Sequence, residues 1–349
     1  MTSNSTMRAY MYLGPGELEL REIPVPTPSS GEILVKVRTA LTDGTDLKTY
    51  RRGHPNIVPP ALFGHEFAGD IVEVGDAVSG YRPGMRIVAH NSAPCLRCYY
   101  CKRGDYSMCD SLFFNPSGAY AEYATVPSNI LKLNTFELPE NLSYAEAAAM
   151  EPLSCVVHGQ DVIDIKPGET VAIIGAGGSI GLMHLQLAIK RGAGLVIAVE
   201  IDEKKLDPIR RLGASYVIGG PEANPVQTIK ELTGGVGVDV AIESAGAVEA
   251  WQTALHAVRK GGRVLWFGGL KPGTPLDLDT KWVHYGEITL HGVFHATPLS
   301  VQRAFDFIRT GLVDTSILVT GTLPLEQLET ALQMMIEGDC IKMAIDPEM

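Results

Sequence analysis

Apolar and polar positions alternate with period two over residues 33–40 (ILVKVRTA) and 70–75 (DIVEVG), which predicts two half-buried strands, and 86–90 is a third, shorter candidate. Turn signals such as Pro26-Thr27-Pro28 and Pro83-Gly84 punctuate them, so the first part of the chain reads as a β-rich, barrel-like domain. Near residue 155 the pattern changes. A continuous apolar run at 170–174 (TVAII) leads through a glycine turn into a helical stretch reaching about Arg191. Strands follow at 195–199, 216–218, 238–242 and 263–267, with a helix over 204–212, and a last strand at 288–294 opens an α/β tail. Apolar strands alternating with helices predict βαβ units and a doubly wound parallel sheet.

A length of 349 residues suggests two domains of ordinary size. With 29 basic and 40 acidic residues the net charge is −11, which disfavours nucleic acid and anionic membrane as partners. The polar stretch at residues 1–8 lacks the apolar core of a secretory signal, and the most apolar stretch, 170–189, reads as strand, turn and helix rather than a membrane span. A soluble, cytoplasmic protein is expected.

Four of the six cysteines, Cys95, Cys98, Cys101 and Cys109, fall within fifteen residues, while Cys155 and Cys340 are isolated. Four thiolates in one loop close a tetrahedral site with no position left for substrate, so the cluster predicts a structural zinc that holds a lobe and does no chemistry. The turn Gly175-Ala176-Gly177-Gly178-Ser179-Ile180-Gly181 lets backbone N–H groups approach a pyrophosphate at a helix N-terminus. Its spacing fits the frame Gly175, Gly178, Gly181 rather than a clean GxGxxG. Glu200, at the end of the next strand, is placed to accept hydrogen bonds from an adenosine ribose diol and to repel a 2′-phosphate, which favours NAD over NADP; Lys204 and Lys205 nearby moderate that preference.

Gly64-His65-Glu66, the cysteine lobe, Glu151-Pro152-Leu153-Ser154 and the glycine turn stand in the order found in one family. Over nearly its whole length the chain resembles the zinc-dependent medium-chain dehydrogenases, within them the polyol branch similar to sorbitol and glucose dehydrogenases. The resemblance implies a GroES-like β-rich catalytic domain (1–155 and 295–349, with the zinc lobe at 92–110) and an inserted Rossmann cofactor domain (156–294). It also implies a second, catalytic zinc, hence two per chain. The family's usual first ligand is the Cys of a Cys-Gly-Ser/Thr-Asp motif; here the stretch reads Asp43-Gly44-Thr45-Asp46, so Asp43 replaces the thiolate. His65 and Glu66 match the next two ligand positions, and Glu151 matches an acid that reaches the metal directly or through water. Three carboxylates and a neutral His are a harder set than Cys and His, which opens the site to manganese and other divalent ions.

Thr45 matches the hydroxyl of the family's proton relay, and Lys48 stands where many members carry a relay His. A lysine there either relays with a lowered pKa, holds an anionic group, or faces solvent. To the cofactor the resemblance assigns Gly175, Gly177, Gly178, Ser179, Ile180, Gly181, Glu200, Lys205, Phe267 and Phe294. His295 is either a candidate for the substrate site or a satisfied histidine at a domain seam, and Tyr50, Phe113, Phe114 and Trp282 are either pocket or core. The activity expected is reversible oxidation of a secondary alcohol of a polyol, cyclitol or sugar to a ketone or lactone by a homodimer or homotetramer. The alternatives are a zinc-independent NADPH-linked quinone or enone reductase, and a non-enzymatic binding protein on this scaffold.

Overall fold

The computed structural model describes residues 5–54 and 57–349; residues 1–4, at the head of the polar N-terminal stretch, lie outside them. The chain divides into two compact units, Met1–Ser154 with Ala296–Met349, and Cys155–His295.

In the first unit the strand Ile33–Leu41 is central, because Ile33, Val35 and Val37 turn fully buried side chains to the core. It pairs antiparallel with Phe67–Val74, with Tyr123–Val126 and, at its end, with Lys342–Asp346, where Ala344 stands opposite Leu41. Arg86–Ala89 and Thr135–Glu137 extend this sheet on one side, and Val319–Pro324, parallel to Lys342–Asp346, on the other. A hairpin of Thr6–Gly14 and Glu17–Pro24, beyond the strands expected from alternation, forms a second sheet with Ala61–Leu62. Tyr12, Phe63 and Tyr120 pack ring on ring between the sheets, with centroids 5.9 and 5.6 Å apart. The last strand of the chain thus lies beside one of the first, and that pairing brings residues near 342 to residues near 42.

The second unit is a six-stranded sheet in the order Tyr216–Gly219, Leu195–Glu200, Thr170–Ile174, Val238–Glu243, Val258–Trp266, Thr289–Gly292, every neighbouring pair parallel. This is the doubly wound order of dinucleotide-binding folds. Strand positions agree with the apolar runs, with three differences. Backbone pairing begins at Val258 rather than 263, since Val258 already bridges Val238. The helix expected over 204–212 is a 3₁₀ turn, Glu203–Lys205, capped by Asp202, followed by Leu206–Arg211. The last strand is confined to Thr289–Gly292, and His295 just beyond it has a left-handed backbone (φ 58°). Among the described residues no helix is long and apolar enough to cross a membrane.

Candidate active site and metal centres

The site in the first unit starts from a helix cap. Asp43 caps the helix Gly44–Arg52: Thr45 N–H donates to Asp43 Oδ1 at 2.7 Å, and Asp43 N–H donates to Asp46 Oδ2 at 3.1 Å. Asp and a following acid at this spacing satisfy the unpaired donors of the first turn. The same box fixes Asp46, to which the sequence pattern assigns no role. Its Oδ1 accepts from His65 Nδ1 at 3.0 Å. A carboxylate only accepts, so the proton sits on Nδ1 and the Nε2 lone pair is left for a ligand, the usual arrangement behind a metal-binding His.

Two carboxylates converge on that nitrogen. His65 Nε2 is 3.8 Å from Asp43 Oδ1 and 3.9 Å from Glu151 Oε2. Ligand atoms bonded at about 2 Å to one tetrahedral ion stand roughly 3–4 Å apart, so the spacing fits a metal. Glu151 lies in the first turn of the helix Met150–Ile163, and its backbone carbonyl accepts from Ser154 Oγ at 2.6 Å. Ser154 in turn receives His90 Nε2–H at 3.0 Å, while His90 Nδ1 accepts from Ser92 N–H.

Glu66, the third expected ligand, also has a cationic partner. It is fully buried, and both its oxygens accept from Lys342 Nζ, at 2.7 and 2.8 Å. Its donors lie within 4.8 Å of those of Asp43 and His65. Glu66 thus accepts from the Lys342 ammonium while remaining within reach of an ion shared with Asp43 and His65. Lys342 also donates to Thr42 O at 2.9 Å and lies 3.3 Å from Asp43 Oδ2.

The electrostatics favour a cation. Asp43, Asp46, Glu66 and Glu151 are all buried, against one lysine. Burial and the Asp43 charge, against the pull of His65, push Glu151 up to about 7. Burial opposes protonation of His65, but Asp46, Glu151 and Asp43 outweigh it and raise its pKa well above the ordinary value. Burial likewise opposes ionisation of Asp43, yet Lys342, His65 and the Thr45 hydrogen bonds hold its carboxyl below the usual range. The cluster draws in positive charge. In their ligating forms, with His65 neutral and Asp43 and Glu151 ionised, the three carry two negative charges and match a divalent ion.

Thr45 donates to Asp43 through both its backbone and its side chain. Lys48 is exposed, one turn further along the same helix. Tyr50, half-buried, packs against the core of the first unit, and Trp282, also half-buried, against that of the second, its Nε1–H donating to Leu255 O at 3.1 Å. Phe113 and Phe114 form a short exposed strand against Ser92–Ala93 at the base of the cysteine lobe.

In that lobe all four sulfurs lie within 4.8 Å of one another, and none is in a disulfide. The Cys98 and Cys109 sulfurs are 3.9 Å apart, near the roughly 3.8 Å that Zn–S bonds of 2.3 Å give in a tetrahedron. Backbone N–H groups of Cys95, Cys98 and Cys101 point at the sulfurs of Cys109, Cys95 and Cys98. Such donors stabilise thiolate; the hydrogen bond from Arg97 N–H is the largest influence bringing Cys95 down to about 6.

In the second unit the glycine turn follows Thr170–Ile174. A Cβ at Gly175 (φ 80°) would sit 2.8 Å from Ala245 Cβ, at Gly177 2.6 Å from Lys205 Cβ, and at Gly181 2.2 Å from Gly175 O. Gly178 has room, its nearest neighbour being 4.0 Å away. The requirement therefore falls on Gly175, Gly177 and Gly181 rather than on the frame through Gly178. No side chain caps the helix Ser179–Lys190, which leaves the amides of Ser179, Ile180 and Gly181 at its positive end. Glu200 closes the turn from below: its Oε2 accepts from Gly177 N–H at 2.8 Å and its Oε1 from Asp202 N–H at 3.0 Å. Lys205 lies 3.5 Å from Asp202. The Phe267 ring meets His184 edge-on at 4.8 Å, and Phe294 is half exposed beside His295.

A family model described as the alcohol dehydrogenase GroES-like domain matches residues 29–135, and one described as zinc-binding dehydrogenase matches residues 179–310. The chain is 32% identical over 355 residues to a sorbitol dehydrogenase of Bacillus subtilis, covering 99% of each chain. It is 34% identical over 358 residues to an L-threonine 3-dehydrogenase of Symbiobacterium thermophilum, again with 99% of each covered. A protein of Sinorhizobium meliloti assigned to the zinc-binding dehydrogenases and solved with NADP superposes with a TM-score of 0.92 at 31% identity, over 99% of this chain and 100% of that one. The fold and the site thus define a pyridine-nucleotide-linked alcohol dehydrogenase. The chain belongs to the zinc-dependent medium-chain dehydrogenases, in their polyol branch.

Proposed function

We propose that the protein oxidises a secondary alcohol of a polyol, cyclitol or sugar to the ketone or lactone, with NAD as hydride acceptor and a divalent ion at Asp43, His65 and Glu151. The observation that carries this reading is the convergence of Asp43 and Glu151 on His65 Nε2, with the other ring nitrogen held by Asp46. A cation bound there supplies Lewis-acid polarisation of a hydroxyl oxygen, so that its proton leaves near neutral pH. The chain's own residues do the rest. Asp46 keeps His65 in the ligating tautomer, Lys342 neutralises Glu66, and Thr45 in the first turn takes the proton onward.

The exposure of Lys48 favours its reading as a solvated residue. The glycine-turn amides hold the pyrophosphate, and the buried Glu200 carboxylate supports NAD over NADP. Zinc in the cysteine lobe is the second metal. The cytoplasmic location and the homodimeric or homotetrameric state belong to the same proposal; the four unpaired thiols of the lobe support the first.

The test is metal content per chain, measured together with NAD- and NADP-dependent oxidation of a polyol panel, for wild type and Asp43→Ala. Two metals, falling to one in the variant with loss of NADH production, are expected. One metal in both proteins, with no polyol turnover, would overturn the mechanism, and turnover with NADP alone would overturn the cofactor assignment.

A further inference from the structure

We propose that Tyr120 is a positioning residue of the catalytic metal site, acting through Asp46 on His65. The proposal rests on the metal assignment made above.

Tyr120 is fully buried, and its hydroxyl donates to Asp46 Oδ2 at 2.5 Å, with Leu41 O a further 3.0 Å neighbour. The opposite oxygen of the same carboxylate receives His65 Nδ1–H. The three groups form one chain, phenol to carboxylate to imidazole, that ends on the nitrogen offered to the metal. The ring makes a second contact with the same loop. Gly64, next to His65, has φ 89°, and a Cβ there would stand 2.6 Å from the Tyr120 ring. Tyr120 therefore fixes the loop bearing His65 by its ring and the acid behind His65 by its hydroxyl. Asp46 has four acceptor sites, and three are filled by Tyr120, His65 and the Asp43 amide. Without the phenol one oxygen keeps only the 3.1 Å amide contact, and the carboxylate is free to rotate away from the imidazole.

Partners behind a ligating His typically account for about 10–100-fold in metal affinity. Tyr120→Phe keeps the ring against Gly64 and removes only the hydroxyl. The experiment measures zinc and cobalt affinity at the catalytic site by chelator competition, with the cysteine lobe loaded, for wild type, Tyr120→Phe, Asp46→Asn and the double variant. Tyr12→Phe, from the same ring cluster, is the control. The expected result is affinity weakened about tenfold or more in Tyr120→Phe, a shifted visible spectrum of its cobalt form, and no change in Tyr12→Phe. It also requires that the Tyr120→Phe effect shrink in the Asp46→Asn background, since a hydroxyl acting through Asp46 has nothing left to hold there.

Unchanged affinity in Tyr120→Phe overturns the proposal and leaves the metal site standing. Equal weakening with and without Asp46 overturns it as well, and so does a Tyr120→Phe chain that fails to fold, because each makes the hydroxyl's role structural. A wild-type protein that binds metal only in the cysteine lobe is a different failure, visible before any variant is made: it removes the metal assignment itself.

Discussion

A buried imidazole that the chemistry does not use contributes to the pH behaviour of the second unit. His184 is fully buried; Gln160 Nε2 lies 3.2 Å from its Nδ1 and donates to its carbonyl at 2.8 Å. Burial, with a smaller push from Arg191, lowers its pKa from 6.5 to about 3. The folded state therefore keeps it neutral while the unfolded chain takes up a proton first as pH falls. Stability contributed by this residue is complete above the unfolded pKa and is lost as pH drops from 6.5 toward 3, at about 1.4 kcal/mol per unit. Between pH 7 and pH 5 the loss from this group is about 2 kcal/mol. Urea unfolding of this unit at the two pH values is expected to show that loss in wild type and a flatter dependence in His184→Gln, whatever the variant's absolute stability. Equal slopes would mean that the imidazole titrates in the folded state as it does in the unfolded chain.

At the scale of elements, the strand–turn–helix at 170–190 shows how little of a glycine motif is interchangeable. Gly181→Ala drives a Cβ to 2.2 Å from a backbone carbonyl and forces helix and turn apart. Gly178→Ala meets nothing closer than 4.0 Å, at an extended φ of −77°. Fluorescence titration of NAD and thermal melts are expected to separate the two: lost binding and a lowered midpoint for Gly181→Ala, near wild-type behaviour for Gly178→Ala. Both residues look alike in the sequence. Spacing identified the turn, but only the path of the following helix says which positions are crowded. The cysteine lobe is the opposite case, since its four ligands lie within one loop and their spacing sufficed to find the cluster that the fold assembles.

Over the whole molecule the decisive link joins residues almost 300 positions apart. Lys342, fully buried on the final strand, holds Glu66 and touches Asp43. Lys342→Met would leave Glu66 buried without its counter-charge, and breaking such a pair costs about 3–5 kcal/mol. The metal-depleted first unit of this variant is expected to melt well below wild type. Added zinc should recover part of the difference, because the freed carboxylate then faces the cation. An equal midpoint for the two depleted proteins would show that Glu66 is protonated and needs no partner.

Read as letters alone, Lys342 is an ordinary lysine in an apolar strand, KMAID, and Tyr120 an ordinary aromatic in GAYAEY. Neither lies near Asp43-Gly44-Thr45-Asp46 or Gly64-His65-Glu66 in sequence. The sequence by itself determined what depends on local pattern: the apolar runs of the parallel sheet, the cysteine lobe, the glycine turn, and the His and acids of the candidate site. The tertiary structure decided how those acids lie about His65, that Glu66 accepts from a lysine, and that Asp46 and Tyr120 stand behind the imidazole. The reason is physical. Strand and loop signals repeat over a few residues, whereas a buried charge finds its partner through strand register, here Ala344 opposite Leu41, which no local pattern encodes.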